Sequence, residues 1–147
     1  MDRADPAGNE QKISWQPRVA CDSFPPPMPL TINQLAEQKP FITKDGSTIR
    51  SILDSTNAAV KKQSLAEATV PAGGATERHY HKKSEEFYFI LEGSGMIEID
   101  GETEHVSEGD AILIPANAWH QIMAADSNLR FLCCCAPPYS HEDTYFN

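Results

Sequence analysis

Between Leu65 and Ala136 the chain is a series of short apolar or alternating segments broken by turn residues. No other feature constrains the fold as much. Period-two segments of this length, with Gly, Pro, Asn or Asp recurring at intervals of roughly eight to twelve residues, are strands of an antiparallel sandwich or barrel. The expected strands are 62–70, 75–81, 86–92, 95–100, 102–107, 111–115, 119–124 and 129–136. Asp100-Gly101 joins two of them and suits a type I′ turn, which needs positive φ at both central residues. Upstream, Thr31-Ile32-Asn33-Gln34 has the spacing of a capping box and predicts a short helix that Pro40 ends. Phe41 to Lys44 reads as extended and Asp45-Gly46 as a turn. Ser47 then reads as the cap of a second helical turn through Ile49, Ile52 and Leu53. The stretch from Pro137 to Asp143 reads as a polar tail. Residues 1–29 are polar and proline-rich, an arm without a core of its own, which leaves residues 30–147 as a single domain.

The chemistry concentrates in His79-Tyr80-His81-Lys82-Lys83-Ser84-Glu85-Glu86. In a strand, residues i and i+2 project from one face, about 6.5–7 Å apart at the backbone. His79 and His81 therefore converge on one side, near enough to share an ion. The aromatic run Phe87 to Leu91 reads as a buried strand with Glu86 at its mouth. A third histidine, His120, follows Gly109-Asp110-Ala111-Ile112-Leu113-Ile114-Pro115-Ala116-Asn117-Ala118-Trp119. Imidazoles and carboxylates together suit divalent first-row transition metals and lack the thiolates of a structural zinc site.

These two stretches resemble the cupin superfamily. Its first motif has a glycine, His-x-His, a glutamate and a second glycine, matched by Gly73, His79, His81, Glu86 and Gly93. Gly109, Pro115 and His120 match the second motif, with Asn117 where a glycine is usual and Ala124 where an asparagine is usual. Asn tolerates positive φ better than most residues, so Asn117 can serve in a turn glycine's place. The resemblance implies an all-β, double-sheet jelly-roll barrel. It also implies one divalent transition metal per chain (Fe, Mn, Ni, Zn, Co or Cu) held by His79, His81, Glu86 and His120. Glu85 competes with Glu86, but neighbours on a strand face opposite ways, and the spacing to Gly93 favours Glu86.

The balance of 12 basic against 21 acidic residues, a formal charge of −9, argues against nucleic acid and anionic membranes as partners. The N-terminus shows no apolar leader and no stretch is long enough for a membrane span, so the expected compartment is the cytoplasm. Cys133, Cys134 and Cys135 are consecutive and cannot form ordinary disulfides with one another, and Cys21 stands apart, so no disulfide framework is expected. The outer two of the three share a face and can line a cavity, although small buried thiols are the ordinary reading. His105 and His141 read as surface residues. Arg78, Lys82, Lys83 and Trp119 read as facing away from the ligands.

The resemblance implies a metal-dependent enzyme acting on a small molecule. With no strong internal base besides the ligands, an O2-dependent dioxygenase ranks first. An isomerase, epimerase or lyase ranks next, with Tyr88, on the face of Glu86, as the candidate for moving a proton; packing of its ring is the competing reading. A non-catalytic metal- or ligand-binding module is the alternative from another class. Small members of the superfamily commonly pair, so a homodimer is expected.

Overall fold

The structure is a computed structural model that describes residues 27–147. Almost all of the proposed arm, residues 1–29, and Cys21 with it, lies outside the described residues; residues 27–29 are exposed and belong to no element. Among the described residues the chain forms β1 (Phe41–Ile42), β2 (Thr48–Leu53), β3 (Ser64–Val70), β4 (His79–His81), β5 (Glu85–Glu92) and β6 (Ser94–Ile99). It continues through β7 (Glu102–Ser107), β8 (Ala111–Ile114), β9 (His120–Ala124), β10 (Leu129–Ala136) and β11 (Thr144–Phe146). One sheet has the order β1-β2-β3-β10-β5-β8 and the other β11-β4-β9-β6-β7, with antiparallel pairing throughout. This is the expected all-β double-sheet architecture.

Strand alternation decides what enters the space between the sheets. On β5, Glu86, Tyr88 and Ile90 point inward while Glu85, Phe87 and Phe89 are exposed. Ile90, Ile122, Leu129 and Phe131 are fully enclosed and pack with Ala68, Val70, Ile97 and Ile114. Each large apolar side chain buried in this way contributes roughly 1.5–3 kcal/mol. The turns follow the residues that make them. Asp100 and Gly101 have φ of 50° and 90°, the pair of positive values a type I′ hairpin needs. Asn117 has φ of 69°, so asparagine does take the left-handed conformation at the usual glycine position. Gly93 has φ of 87°, and a Cβ there would run into the Asn128 carbonyl oxygen, so this position admits only glycine on two counts.

Three expectations fail, all outside the central strands. The helix expected after Thr31 is a single 3-10 turn, Leu35–Glu37, with no side-chain cap at Gln34. It buries no residue, so nothing in the tertiary structure supports further turns. Asn33 instead donates to the carbonyl of Ile52 at 2.8 Å. The second expected helical turn is strand β2, paired with β3 from Thr48↔Thr69 to Leu53↔Leu65. Ser47 does not cap a helix; its hydroxyl and amide both donate to the Asp45 carboxylate across the β1–β2 turn. Finally, the expected tail is structured. A 3-10 turn, His141–Asp143, leads into β11, which pairs with β4 in the register Thr144↔His81 and Phe146↔His79.

Candidate metal centre

His79 and His81 share the inner face of β4, and the antiparallel register sets His79 directly opposite His120 on β9. Their ring centroids lie 4.2 Å apart, and that of His81 lies 5.2 Å from His79. Glu86 reaches the three imidazoles from β5 in the other sheet, so the cluster bridges the two sheets. One carboxylate oxygen, Oε2, lies 3.3 Å from His81 Nε2 and 3.5 Å from His120 Nε2. One ligand atom from each of the four residues falls within 4.8 Å of the others, and all four side chains are buried. Glu85 is exposed on the opposite face.

The imidazoles are presented in one orientation. His79 Nδ1 faces the Glu77 carbonyl at 2.7 Å, His120 Nδ1 the Ala118 carbonyl at 3.0 Å, and His81 Nδ1 the Asp143 carbonyl at 3.2 Å. A carbonyl only accepts, so each Nδ1 carries a proton and each Nε2 is the nitrogen that can offer a lone pair to an ion at the centre. Such backing is usual for metal-bound histidine. The centre also contains two orphans: Glu86 Oε2 and His120 Nε2 are buried and have no hydrogen-bond partner. Buried unpaired polar atoms are costly, and a cation between them removes that cost. The donor set therefore fits a divalent metal ion, and these four residues can hold one.

The electrostatics of the protein alone point the same way. Burial opposes ionisation of Glu86, but His120 and His81 outweigh it and hold the carboxyl well below the usual carboxylate range. Burial likewise works against a charged His81, and Glu86 overcomes it and raises the imidazole. For His79, burial and the neighbouring His120 both act to lower the pKa. The carboxylate is thus stable only against positive charge, which a metal supplies without protonating the ring nitrogens.

Beside the centre lies a cavity with room for the centres of water-sized molecules over about 80 Å³. Apolar walls come from Phe41, Ile49, Ala68 and Phe131, and hydroxyls from Ser47, Tyr88, Tyr139 and Thr144. Tyr88 is buried, its ring 6.2 Å from that of His120 and 4.6 Å from that of Phe131. Burial first, and Glu86 next, push its pKa well up, so the phenol keeps its proton. Cys133 and Cys135 line the cavity together, and Cys135 Sγ donates to Glu86 Oε1 at 3.3 Å. Burial, with Glu86 beside them, raises both thiols, which suits neutral packing groups and not nucleophiles.

The remaining candidates lie where strand alternation sends them. Arg78 makes a two-pronged ion pair with Glu98 at 2.9 and 3.1 Å and sits 5.1 Å above the Trp119 ring, away from the ligands. Lys82, Lys83, His105 and His141 are exposed. Tyr139, Thr144 and the β1–β2 residues were not singled out from sequence, and Asp143 was only part of the tail. They reach the centre through pairing between distant segments, which leaves no local signal.

The family model described as "Cupin domain" matches residues 66–135. The uncharacterized protein MJ1618 of Methanocaldococcus jannaschii is 51% identical over 107 residues, which cover 72% of this chain and 86% of that protein. The chain belongs to the cupin family. Among relatives with a stated activity, this cupin is 37% identical over 82 residues to the dimethylsulfoniopropionate lyase DddW of Ruegeria pomeroyi, covering 56% of this chain and 53% of DddW. It thus spans only about half the length of DddW. The polyketide cyclase RemF of Streptomyces resistomycificus superposes with a TM-score of 0.65 at 27% identity, covering 78% of this chain and 89% of RemF. Pac13, a nucleoside dehydratase, superposes with a TM-score of 0.67 at 15% identity, covering 80% and 90%, and so shares the fold. Among the described residues no helix is long and apolar enough to cross a membrane.

Proposed function

We propose that this cupin is a metal-dependent enzyme that transforms a small, oxygen-bearing molecule by elimination or ring closure without consuming O2. One observation carries the reading: a four-residue donor set with two orphaned ligand atoms borders a cavity that Tyr88 also lines. A divalent metal at His79, His81, Glu86 and His120 supplies Lewis acidity toward a substrate oxygen. The chain's own groups do the rest. The three carbonyl-backed imidazoles and Glu86 hold the centre in place. Phe41, Ile49 and Phe131 enclose an apolar substrate body and exclude water. Tyr88 gives the proton of its phenolic Oη to the departing oxygen and, as the phenolate, takes the proton that the substrate carbon loses, which restores the phenol. Among the described residues no Lys or Arg lines the cavity, which disfavours a sugar phosphate as the substrate. DddW and RemF, a lyase and a cyclase by name, support non-oxidative chemistry.

An O2-dependent dioxygenase is the second reading. It is supported by the donor set of three imidazoles and one carboxylate, which would suit a redox-active first-row metal able to bring substrate and O2 together. One experiment separates the two. Protein loaded in turn with Fe(II), Mn(II), Co(II), Ni(II) and Zn(II) is incubated with β-substituted carboxylic acids and with polyphenolic ketones, with O2 uptake and product mass followed together. The proposal expects loss of a small molecule or an unchanged mass, no O2 uptake, and loss of turnover in Tyr88→Phe. Uptake of O2 with a gain of two oxygen atoms would overturn it in favour of the dioxygenase.

We also propose that the protein pairs with a second copy through the outer face of the six-stranded sheet. Leu113, Phe87 and Phe89 are 54%, 50% and 43% exposed there, and Leu65, Cys134, Phe87 and Leu113 stand in one row across four strands. Exposed apolar surface of this kind marks association. Light scattering is expected to give a dimer for wild type and a monomer for Phe87→Glu; a wild-type monomer at micromolar concentration would contradict it.

A further inference from the structure

The match to the family model ends at residue 135, yet the chain beyond it packs on the candidate metal centre. Asp143 is the junction. It is buried, with 7% of its surface exposed. Its backbone carbonyl accepts from His81 Nδ1 at 3.2 Å. Its carboxylate accepts the backbone N–H of Lys83 at 3.0 and 3.1 Å and that of Ser84 at 3.0 Å. One residue thus holds a ligand on β4 and, separately, the turn that delivers Glu86 on β5. The neighbouring contacts reinforce it. Ser84 Oγ donates to the Pro137 carbonyl at 3.0 Å, and Thr144 Oγ1 lies 3.4 Å from His81 Nδ1. The rings of Tyr139 and Phe146 lie 5.9 Å from His81 and 5.7 Å from His79.

We infer that Asp143 is a positioning residue for the metal centre, setting the orientation of His81 and the approach of Glu86 from the C-terminal segment. The inference rests on the reading of His79, His81, Glu86 and His120 as metal ligands. The physical reason is that ligand orientation is fixed by the groups behind the ligands, and their loss typically costs 10–100-fold in metal affinity. Without the carboxylate, two amides of the Lys83–Ser84 turn lose their acceptor. The turn is then free to carry Glu86 away from Oε2's shared position between His81 and His120. The Asp143 carbonyl, no longer anchored by its side chain, stops fixing the His81 tautomer. Cadence along the chain matters here: Lys83, Ser84 and Glu86 follow His81 directly, so one anchor governs both ligands.

The test uses Co(II) as the probe, on the full chain stripped of metal. Affinity is read by chelator competition, and the ligand field by the visible absorption of bound Co(II), for wild type, Asp143→Asn, Asp143→Ala and the exposed control Glu142→Gln. All are measured well below the midpoint of thermal unfolding. Wild type and Glu142→Gln are expected to bind one Co(II) with the same spectrum. Asp143→Ala should bind 10–100-fold more weakly with a shifted spectrum. Asp143→Asn keeps one acceptor oxygen and should fall between. If Asp143→Ala does not fold, Asp143→Asn decides, since its shape is nearly that of the native residue. Wild-type affinity and spectrum in a folded Asp143 variant would overturn the inference and leave the metal reading standing. Failure of wild type itself to bind Co(II) would overturn the metal reading, and the inference with it.

Discussion

The matched barrel, residues 66–135, and the segments flanking it divide the work of the site. The barrel supplies the four candidate ligands, His79 and His81 on β4, Glu86 on β5 and His120 on β9. The flanks supply most of what surrounds them. β1 and β2 line the cavity through Phe41, Ser47 and Ile49, and the C-terminal segment does so through Tyr139 and Thr144. The two regions also differ in packing. β3, β5 and β10 hold much of the enclosed core, whereas β1 is exposed along both residues and β2 is half-buried throughout. The contrast places the four candidate ligands inside the stretch that the family model matches, and most of the remaining cavity wall in segments outside that match.

The comparison is broken most forcefully from inside the barrel. Phe131→Ala empties the space against Tyr88 and should cost about 3–5 kcal/mol of stability. A chemical denaturation midpoint close to wild type would mean that the core does not rest on β10. Next comes the ligand pair. Glu86→Ala should abolish stoichiometric metal binding while Glu85→Ala leaves it intact, because only Glu86 faces His81 and His120. Equal metal contents in the two variants would remove Glu86 from the site. Asn117→Val forces a β-branched residue to φ of 69°, at a cost of roughly 1–3 kcal/mol. Since the Asn117 amide donates to the His81 carbonyl at 2.7 Å, metal affinity should fall as well. Unchanged thermal stability would show that this turn can relax without strain.

The smallest effect lies in the flank. Burial opposes ionisation of Asp54, but hydrogen bonds from Ser51 and Thr56 and backbone amides outweigh it and lower its pKa. A group with a lowered folded pKa stabilises above its unfolded value, near pH 4, and the contribution fades as pH falls through the folded value. Asp54→Asn should therefore cost about 1 kcal/mol or less at pH 7, with the difference from wild type closing below about pH 4. A difference that widens in acid would reverse the assignment. Metal content should not change in this variant.

Much of the barrel was legible because its signals are local. Alternation on β5 sends Glu86 inward and Glu85 outward, the Asp100-Gly101 pair announces its hairpin, and His-x-His places two ligands on one face. The flanks were not. Ile49, Ile52 and Leu53 fit helical spacing as well as a short strand, and only pairing with β3 decides the matter. β11 has three residues and no alternation to detect; it exists because Thr144 to Phe146 find β4, sixty residues earlier in the chain. Asp143 shows the same limit. Nothing near it in sequence marks an acceptor for two distant amides.

Metal binding at His79, His81, Glu86 and His120 is tested most directly by elemental mass spectrometry of untagged protein purified without chelator, beside His81→Ala. Wild type is expected to carry about one transition-metal ion per chain, and the folded variant to lose it. Wild type without metal, and taking none up on reconstitution, would contradict metal binding there and leave a barrel whose buried histidines only pack.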